Sequence, residues 1–188
     1  VVHRLDRGTS GVIVIAKHDA ALQELSRQFH DREVEKEYIA LVWGVVQAGR
    51  RIDAAIGRDP VHRQKMSARA KHAREAVTRI TRAHHMPGLT LCQVAIHTGR
   101  THQIRVHMQF LKAPLVGDPV YGYKGIVPIR AMTQTLRDAV SNFHRQALHA
   151  IKLGLIHPAT NEFMEWQIEL ADDMKVLLDA MRHEDVKD

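Results

Sequence analysis

The sequence predicts an α+β fold, a mixed, mostly antiparallel β-sheet flanked by helices, in one domain or one domain with two lobes. Three observations predict it. Two pairs of apolar runs, 75–82 with 89–97 and 147–156 with 162–170, are joined by the turn signals Met86-Pro87-Gly88 and Pro158-Ala159-Thr160-Asn161. Segments with helical spacing fall between the strand-like runs without regular βαβ alternation. The 188 residues contain no internal repeat, low-complexity run or linker. A chain of that size buries roughly 70% of its unfolded surface without staples.

The chain opens on His3-Arg4-Leu5-Asp6-Arg7-Gly8-Thr9-Ser10-Gly11, an acid between two arginines followed by a Gly/Thr/Ser turn. Residues 12–17 then read as a short buried strand. A carboxylate held on a tight loop by a rigid strand makes Asp6 a candidate reaction centre, and simple pairing with Arg4 or Arg7 is the alternative. Residues 19–30 carry Leu22, Leu25 and Phe29 at helical spacing, with Asp19 placed to cap. Residues 35–46 form a strand rich in β-branched and aromatic side chains. By alternation Tyr38, Ala40 and Val42 share one face, and Ile39, Leu41 and Trp43 the other. The small Ala40 beside Tyr38 leaves room for a group to stack on the ring. A core tyrosine with a satisfied hydroxyl is the alternative.

A turn and a short strand at 52–56 precede the basic stretch 62–74, which holds Arg63, Lys65, Arg69, Lys71, Arg74 and two histidines. Its charge and weak periodicity suit either a phosphate-binding arm or a solvated loop. After the 75–97 hairpin, residues 101–111 read as a helix with Ile104, Met108 and Leu111 as its buried stripe. Thr98 or Thr101 is placed to cap it, and Arg100 and His102 beside its free N–H groups make a site for phosphate. Arg105, close to the buried stripe, requires a carboxylate partner, because an unpaired buried charge is too costly. Residues 115–122 form a turn-rich loop, 133–143 a helix, and 172–182 a closing helix with Met174, Leu177, Leu178 and Met181 inward.

The net charge of +6 and pI near 9.7 favour a polyanionic partner, nucleic acid first. The single Cys92, in an apolar run, excludes a disulfide framework and thiolate metal clusters and fits a reducing, cytoplasmic setting. No apolar stretch approaches the roughly 20 residues of a membrane span. Val1 is no initiator and the opening motif starts at residue 3, so upstream sequence is expected.

Fourteen histidines invite a metal reading. However, His102 and His107 lie about 140° apart round a helix, and neither HExxH nor a Cys pair occurs. Nucleotide loops and the G-x-S-x-G elbow are equally absent. What remains is one prominent carboxylate, an arginine able to hold it ionised and a tyrosine on a strand. A carboxylate paired with arginine can act as a nucleophile without a metal. A glycoside hydrolase would need a second carboxylate near Asp6, for which Asp118 is the candidate. One acid alone favours a leaving group that needs little protonation, such as a uracil anion.

Five motifs in order resemble the RluA family of pseudouridine synthases, nearest its branch that modifies large-subunit ribosomal RNA. They are His3-Arg4-Leu5-Asp6 with Thr9-Ser10-Gly11, Lys36-Glu37-Tyr38-Ile39-Ala40-Leu41-Val42-Trp43-Gly44, and Thr98-Gly99-Arg100-Thr101-His102-Gln103-Ile104-Arg105-Val106-His107. The others are Pro114-Leu115-Val116-Gly117-Asp118-Pro119-Val120-Tyr121-Gly122 and Leu148-His149-Ala150 with His157-Pro158. The resemblance implies a two-lobed catalytic domain with Asp6 in its cleft, preceded in relatives by further catalytic sequence and often an S4-like domain. It implies that Asp6 attacks the target uridine, that Tyr38 packs on the base and helps remove the C5 proton, and that Arg105 pairs with Asp6. The reaction would cleave N1–C1′, rotate the uracil and rejoin it through C5, with no cofactor and no metal. RNA contacts are expected from Arg4, Arg7, Arg100, Thr101 and His102 and from Arg63, Lys65, Arg69 and Lys71. A monomer acting on ribosomal RNA is expected. Transfer RNA, or a noncatalytic role in RNA binding or ribosome assembly, is the alternative.

Overall fold

The computed structural model describes residues 1–62, 64–123 and 132–183. In chain order these form β1 (Ser10–Gly11), α1 (Asp19–His30), β2 (Glu35–Trp43), β3 (Arg51–Asp53), β4 (Ile56–Arg58), β5 (Met66–Ser67) and β6 (Ala73–Arg74). There follow β7 (Val77–Met86), β8 (Leu89–Ile96), α2 (Gln103–Phe110), α3 (Gln134–Ser141), β9 (Leu148–Ile156), β10 (Phe163–Gln167) and α4 (Asp172–Arg182).

Among the described residues, seven strands form one sheet in the order β1-β9-β2-β8-β7-β3, with β10 also paired to β9. All its pairings are antiparallel except the short parallel contact of β1 with β9, so the predicted α+β class and sheet type hold. Both predicted hairpins form, because their turn residues set strands of matching alternation face to face. β2 runs through the middle and is covered on both faces. Leu41 and Trp43 join Leu136, Val140, Met174, Leu177 and Met181 of α3 and α4 in one core. Ala40 and Val42 join Val94, Ile104, Met108 and Leu115 in the other, under α2. Full burial of each such aliphatic chain contributes roughly 1.5–3 kcal/mol. Cys92 lies in this second core, where burial pushes its thiol up to about 12.

Several local readings are corrected. Residues 12–17 are not a buried strand: after Val12 N–H donates to Ala150 O at 2.9 Å, the ladder ends. Val12, Val14 and Ala16 face a core shared with α1, while Ile13 and Ile15 are exposed. The alternation is that of a half-buried extended segment, which an all-apolar run conceals. α1 is capped by His18 Nδ1, which accepts from Ala21 N–H, and not by Asp19, which begins the helix. The expected strand at 52–56 is two strands in different sheets, because β4 turns away to pair with β5 and β6. The described part of the 62–74 stretch is mostly turn and loop, as expected, but it contributes two short strands, β5 and β6. These pair on either side of β4 and pack Met66 and Ala68 toward Ile56, Ala76, Val106 and Tyr121.

Candidate active site

Asp6 is carried by a tight turn. Thr9 N–H donates to Asp6 O at 2.9 Å, and Gly8 has a φ of +88°, the left-handed value a type II turn requires at its third residue. Gln146 donates from Nε2 to Arg7 O at 2.9 Å and to Thr9 Oγ1 at 3.0 Å. Arg145 donates to Gly8 O at 2.8 Å and Ser10 Oγ at 3.1 Å, while Asp173 of α4 grips its guanidinium at 2.6 and 2.7 Å. Ser10 Oγ lies 2.8 Å from His149 Nδ1. The turn is thus fixed by side chains more than 130 residues away in sequence.

Arg105 reaches Asp6 because α2 is locked in rotation. Gln103 Nε2 donates to Val77 O at 2.9 Å and Thr78 Oγ1 at 3.0 Å, and its Oε1 accepts from Thr98 Oγ1 at 2.6 Å. One turn on, His107 holds Thr78 Oγ1 and Ala54 O, each at 2.8 Å. This histidine is therefore a satisfied core group, and burial pulls its pKa down. The expected threonine cap is absent. The residue before the helix is His102, with left-handed φ of 58° and no capping side chain, while Thr98 serves Gln103. Left-handed backbone at a non-glycine beside a cavity is held there by its surroundings. Here the tie is Tyr121, whose hydroxyl is 2.7 Å from His102 Nδ1 and accepts from Met66 N–H at 2.9 Å. Burial pulls His102 down against the charges of Asp6 and Asp118, so at neutral pH it offers a hydrogen bond and no charge.

The Arg105 guanidinium stands between two carboxylates. It donates from Nε and Nη2 to Asp118 at 2.7 and 3.0 Å, and from Nη1 to Asp6 Oδ2 at 3.4 Å. Its carbon centre lies 5.0 Å from the centre of the Tyr121 ring. Asp118 has no side-chain exposure and also accepts from the N–H groups of Val120 and Tyr121, both at 2.9 Å. Burial would push Asp118 up, but the Arg105 hydrogen bonds and these N–H groups outweigh it and hold the carboxyl low. Burial would likewise pull Arg105 down, and Asp118 reverses it. A carboxylate so engaged has no proton to give, which removes the second acid that glycoside hydrolysis needs.

Tyr38 faces the same cavity, whose walls include Arg4, Asp6, Arg100, His102 and Arg105 and whose volume is about 100 Å³. Beside it the register of β2 against β9 slips, Glu37 pairing with Lys152 and Tyr38 with Ala150. The extra residue, Ile151, is on β9, so β2 keeps its alternation and its regular register with β8 through Tyr38. Burial, and then the negative charge of Asp6, push the Tyr38 phenol up to about 12.

Of the expected RNA-contacting residues, Arg4, Arg100, Thr101 and His102 line this cavity. Arg7 is exposed on the turn and does not line it. Lys65, Arg69 and Lys71 do not line it and sit in the turns beside β5 and β6, and Arg63 falls outside the described residues. Asp118 as the chief partner of Arg105, together with Tyr121, Arg145 and Gln146, escaped the sequence reading. The one available signal was that a buried arginine with five donors can satisfy two acids. Among the described residues no group of three or more His, Cys, Asp or Glu is placed to hold a metal ion. No described helix is long and apolar enough to cross a membrane.

Comparison with known proteins agrees with this geometry. A family model described as RNA pseudouridylate synthase matches residues 1–110. "Ribosomal large subunit pseudouridine synthase D" of Pseudomonas aeruginosa is 44% identical over 98% of this chain and 57% of its own length. Its namesake from Nitrosomonas europaea is 42% identical over 97% of this chain and 51% of its own length. The chain thus spans about half the length of these relatives. The solved structure of human RNA Pseudouridylate Synthase Domain Containing 4 superposes with a TM-score of 0.76 at 25% identity, over 96% of this chain and 75% of that one. Human RNA Pseudouridylate Synthase Domain Containing 1 gives 0.70 at 28%, over 96% and 79%. The matched stretch 1–110 contains Asp6, Tyr38 and Arg105 together, and on that ground the chain belongs to the RNA pseudouridylate synthase family.

Proposed function

We propose that this chain is the catalytic unit of an enzyme converting uridines of large-subunit ribosomal RNA to pseudouridine, with Asp6 as nucleophile. The observation that carries the reading is the alignment of three groups on one cavity: Asp6, the Arg105 guanidinium 3.4 Å from it, and Tyr38. The name carried by relatives that match nearly the whole chain supports the ribosomal substrate. A uridine must leave its stack to enter, at a cost of a few kcal/mol, and phosphate contacts from Arg4 and Arg100 offset it. Asp6 attacks the nucleotide and the N1–C1′ bond breaks. The uracil turns, C5 joins C1′, the bond to Asp6 breaks to free its carboxylate, and the C5 proton is lost while N1 takes one up. Arg105, its charge sustained by Asp118, balances the carboxylate before attack and after its release. Tyr38 enters as a neutral phenol, because a hydroxyl pushed up to about 12 is not a phenolate at neutral pH. Its role is to pack on the base, and it can relay the C5 proton only if its own O–H proton passes on at the same time, the freed Asp6 carboxylate being the acceptor on the same cavity. A buried, unreactive Cys92 suits a reducing cytoplasm.

The test is tritium release from C5-labelled uridine in large-subunit ribosomal RNA. Wild type is expected to release label, and Asp6→Asn to bind the RNA and release none. Release from transfer RNA alone would move the substrate, and no release from either RNA would make the chain a binding module.

A further inference from the structure

Beside the catalytic cavity, and sharing Arg4, Tyr38, Gly99 and Arg100 with it, runs a second groove of about 480 Å³. Its walls add His3, Arg32, Lys36 and Arg74. Lys36 is the unusual member. It lies between Glu35 and Glu37 in sequence, yet strand alternation sends both acids to the opposite face. There Lys152 takes them at 3.8 and 3.5 Å, along with Glu165 at 2.7 Å. Lys36 is left half-buried with no ion pair among the described residues, its ammonium 5.7 Å from the Phe29 ring. The Phe29 ring in turn stacks on His3 at 4.6 Å.

The groove is short of negative charge. Glu75 is the acid that serves it, bound to Arg32 at 2.7 Å, while its backbone carbonyl takes Arg100 Nε at 2.8 Å. Burial pulls Arg100 down, and the charges of Arg74 and Arg32 press it further. His3, with Nε2 accepting from Val14 N–H at 3.0 Å, is pulled to about 4 by burial and by the Lys36 charge, so it stays neutral. His30 and His97 complete the titratable rim. A cluster of like charges in a cleft is stable when an anion from outside completes it. Lys36 and Tyr38 are two residues apart on one face of β2, roughly 7 Å. That is about one nucleotide along an extended strand.

We propose that this groove seats the RNA phosphodiester next to the uridine held over Tyr38, with Lys36 as the group that meets it. The proposal rests on the RNA-substrate reading above and adds the path of the strand beyond the target base. Arg4 and Arg100 stand at the junction of the two cavities, so one strand lies across both. Burial sets the Lys36 ammonium at about 8, so it is charged at neutral pH and its charge is strengthened by a bound phosphate.

The test uses a nine-nucleotide RNA with a single central uridine and its counterparts carrying one neutral methylphosphonate linkage. With wild type, neutralising the linkage beside the uridine is expected to weaken binding about tenfold. With Lys36→Met, which itself binds the unmodified RNA about tenfold more weakly, that replacement should cost nothing further. A neutral linkage four nucleotides away should affect both proteins alike. The slope of log affinity against log salt should fall by about 0.7 in Lys36→Met and be restored in Lys36→Arg. It should not change in Lys17→Met, a lysine outside the groove. Lys36→Met should also melt no lower than wild type, since it removes an unpaired ammonium, and this separates lost contact from lost fold. Equal costs in both proteins at every linkage, or an unchanged salt slope, would overturn the proposal. A wild type that shows the Lys36 coupling but forms no pseudouridine in ribosomal or transfer RNA would sink the enzymatic reading alone.

Discussion

At Arg105 one guanidinium serves two acids, and its short contacts go to the deeper one. Asp118 takes a bidentate grip at 2.7 and 3.0 Å and leaves the 3.4 Å contact for Asp6. The arrangement keeps Arg105 aimed and holds Asp6 by one contact only; on the proposed function this leaves the Asp6 carboxylate freer to move than a bidentate pair would. Arg105→Met should therefore do two things. It should reduce turnover at least a thousandfold with RNA affinity within about fivefold, and it should destabilise the fold by about 3–5 kcal/mol, because Asp118 becomes an uncompensated buried charge. Single-turnover assays, filter binding and urea unfolding measure the three quantities, and an unchanged unfolding midpoint would contradict the buried-pair argument. Tyr38 offers a second check, because Asp6 contributes to its raised value. In Asp6→Asn the Tyr38 phenol should titrate measurably below about 12, by ultraviolet difference spectroscopy against a Tyr38→Phe background.

The elements act as frames for these residues, and most of the framing is polar. The Asp6 turn is held by Gln146 and Arg145, just ahead of β9, and α2 is held by Gln103 and His107 against β7. Replacing Gln146 by leucine leaves Arg7 O and Thr9 Oγ1 without their donor. Both groups are only partly buried, so each one stranded costs about 1 kcal/mol, the low end of the range for buried groups. The expected outcome is a catalytic rate lowered 10- to 100-fold with RNA affinity nearly kept, because the turn that aims Asp6 loosens while the basic surface stays. Equal losses in both would make Gln146 an RNA contact. Gly8 belongs to the same frame. Besides its left-handed φ, a Cβ there would meet Gln146 Oε1 at 2.9 Å, so only glycine fits both the turn and its clamp.

Over the whole molecule, buried neutral histidines make the fold sensitive to acid. His3, His107 and His149 are each pulled below the ordinary 6.5 by burial. Above that value both folded and unfolded chains hold them neutral, and stability is flat. As pH falls below 6.5 the unfolded chain takes up protons that the folded one resists, so stability declines, and His3 itself charges only near 4. Urea midpoints measured from pH 8 to 5, above most carboxylate titration, should be level to about 6.5 and then fall. A level profile to pH 5 would show that these rings are not held neutral.

The amino-acid sequence by itself determined the α+β class, both hairpins, the helices at 19–30, 133–143 and 172–182, and the expectation that Asp6, Tyr38 and Arg105 meet, which they do on one cavity. Turn residues, apolar periodicity and motif order are properties of neighbours along the chain, and they survive without coordinates. The true face of residues 12–17 was hidden because an all-apolar run carries no alternation to read. The small sheet that β5 and β6 form with β4 was hidden because two-residue strands carry no readable alternation and pack through Met66 and Ala68 on Ile56 and Tyr121, which lie outside residues 62–74. The second acid on Arg105, the clamp of Arg145 and Gln146 on the Asp6 turn, and the unpaired Lys36 beside Tyr38 were decided by tertiary structure alone. Each is a contact between side chains distant in sequence or, for Lys36, the capture of its neighbouring acids by Lys152 of β9. A buried charge is settled by whatever three-dimensional packing brings to it, and sequence spacing carries no record of that.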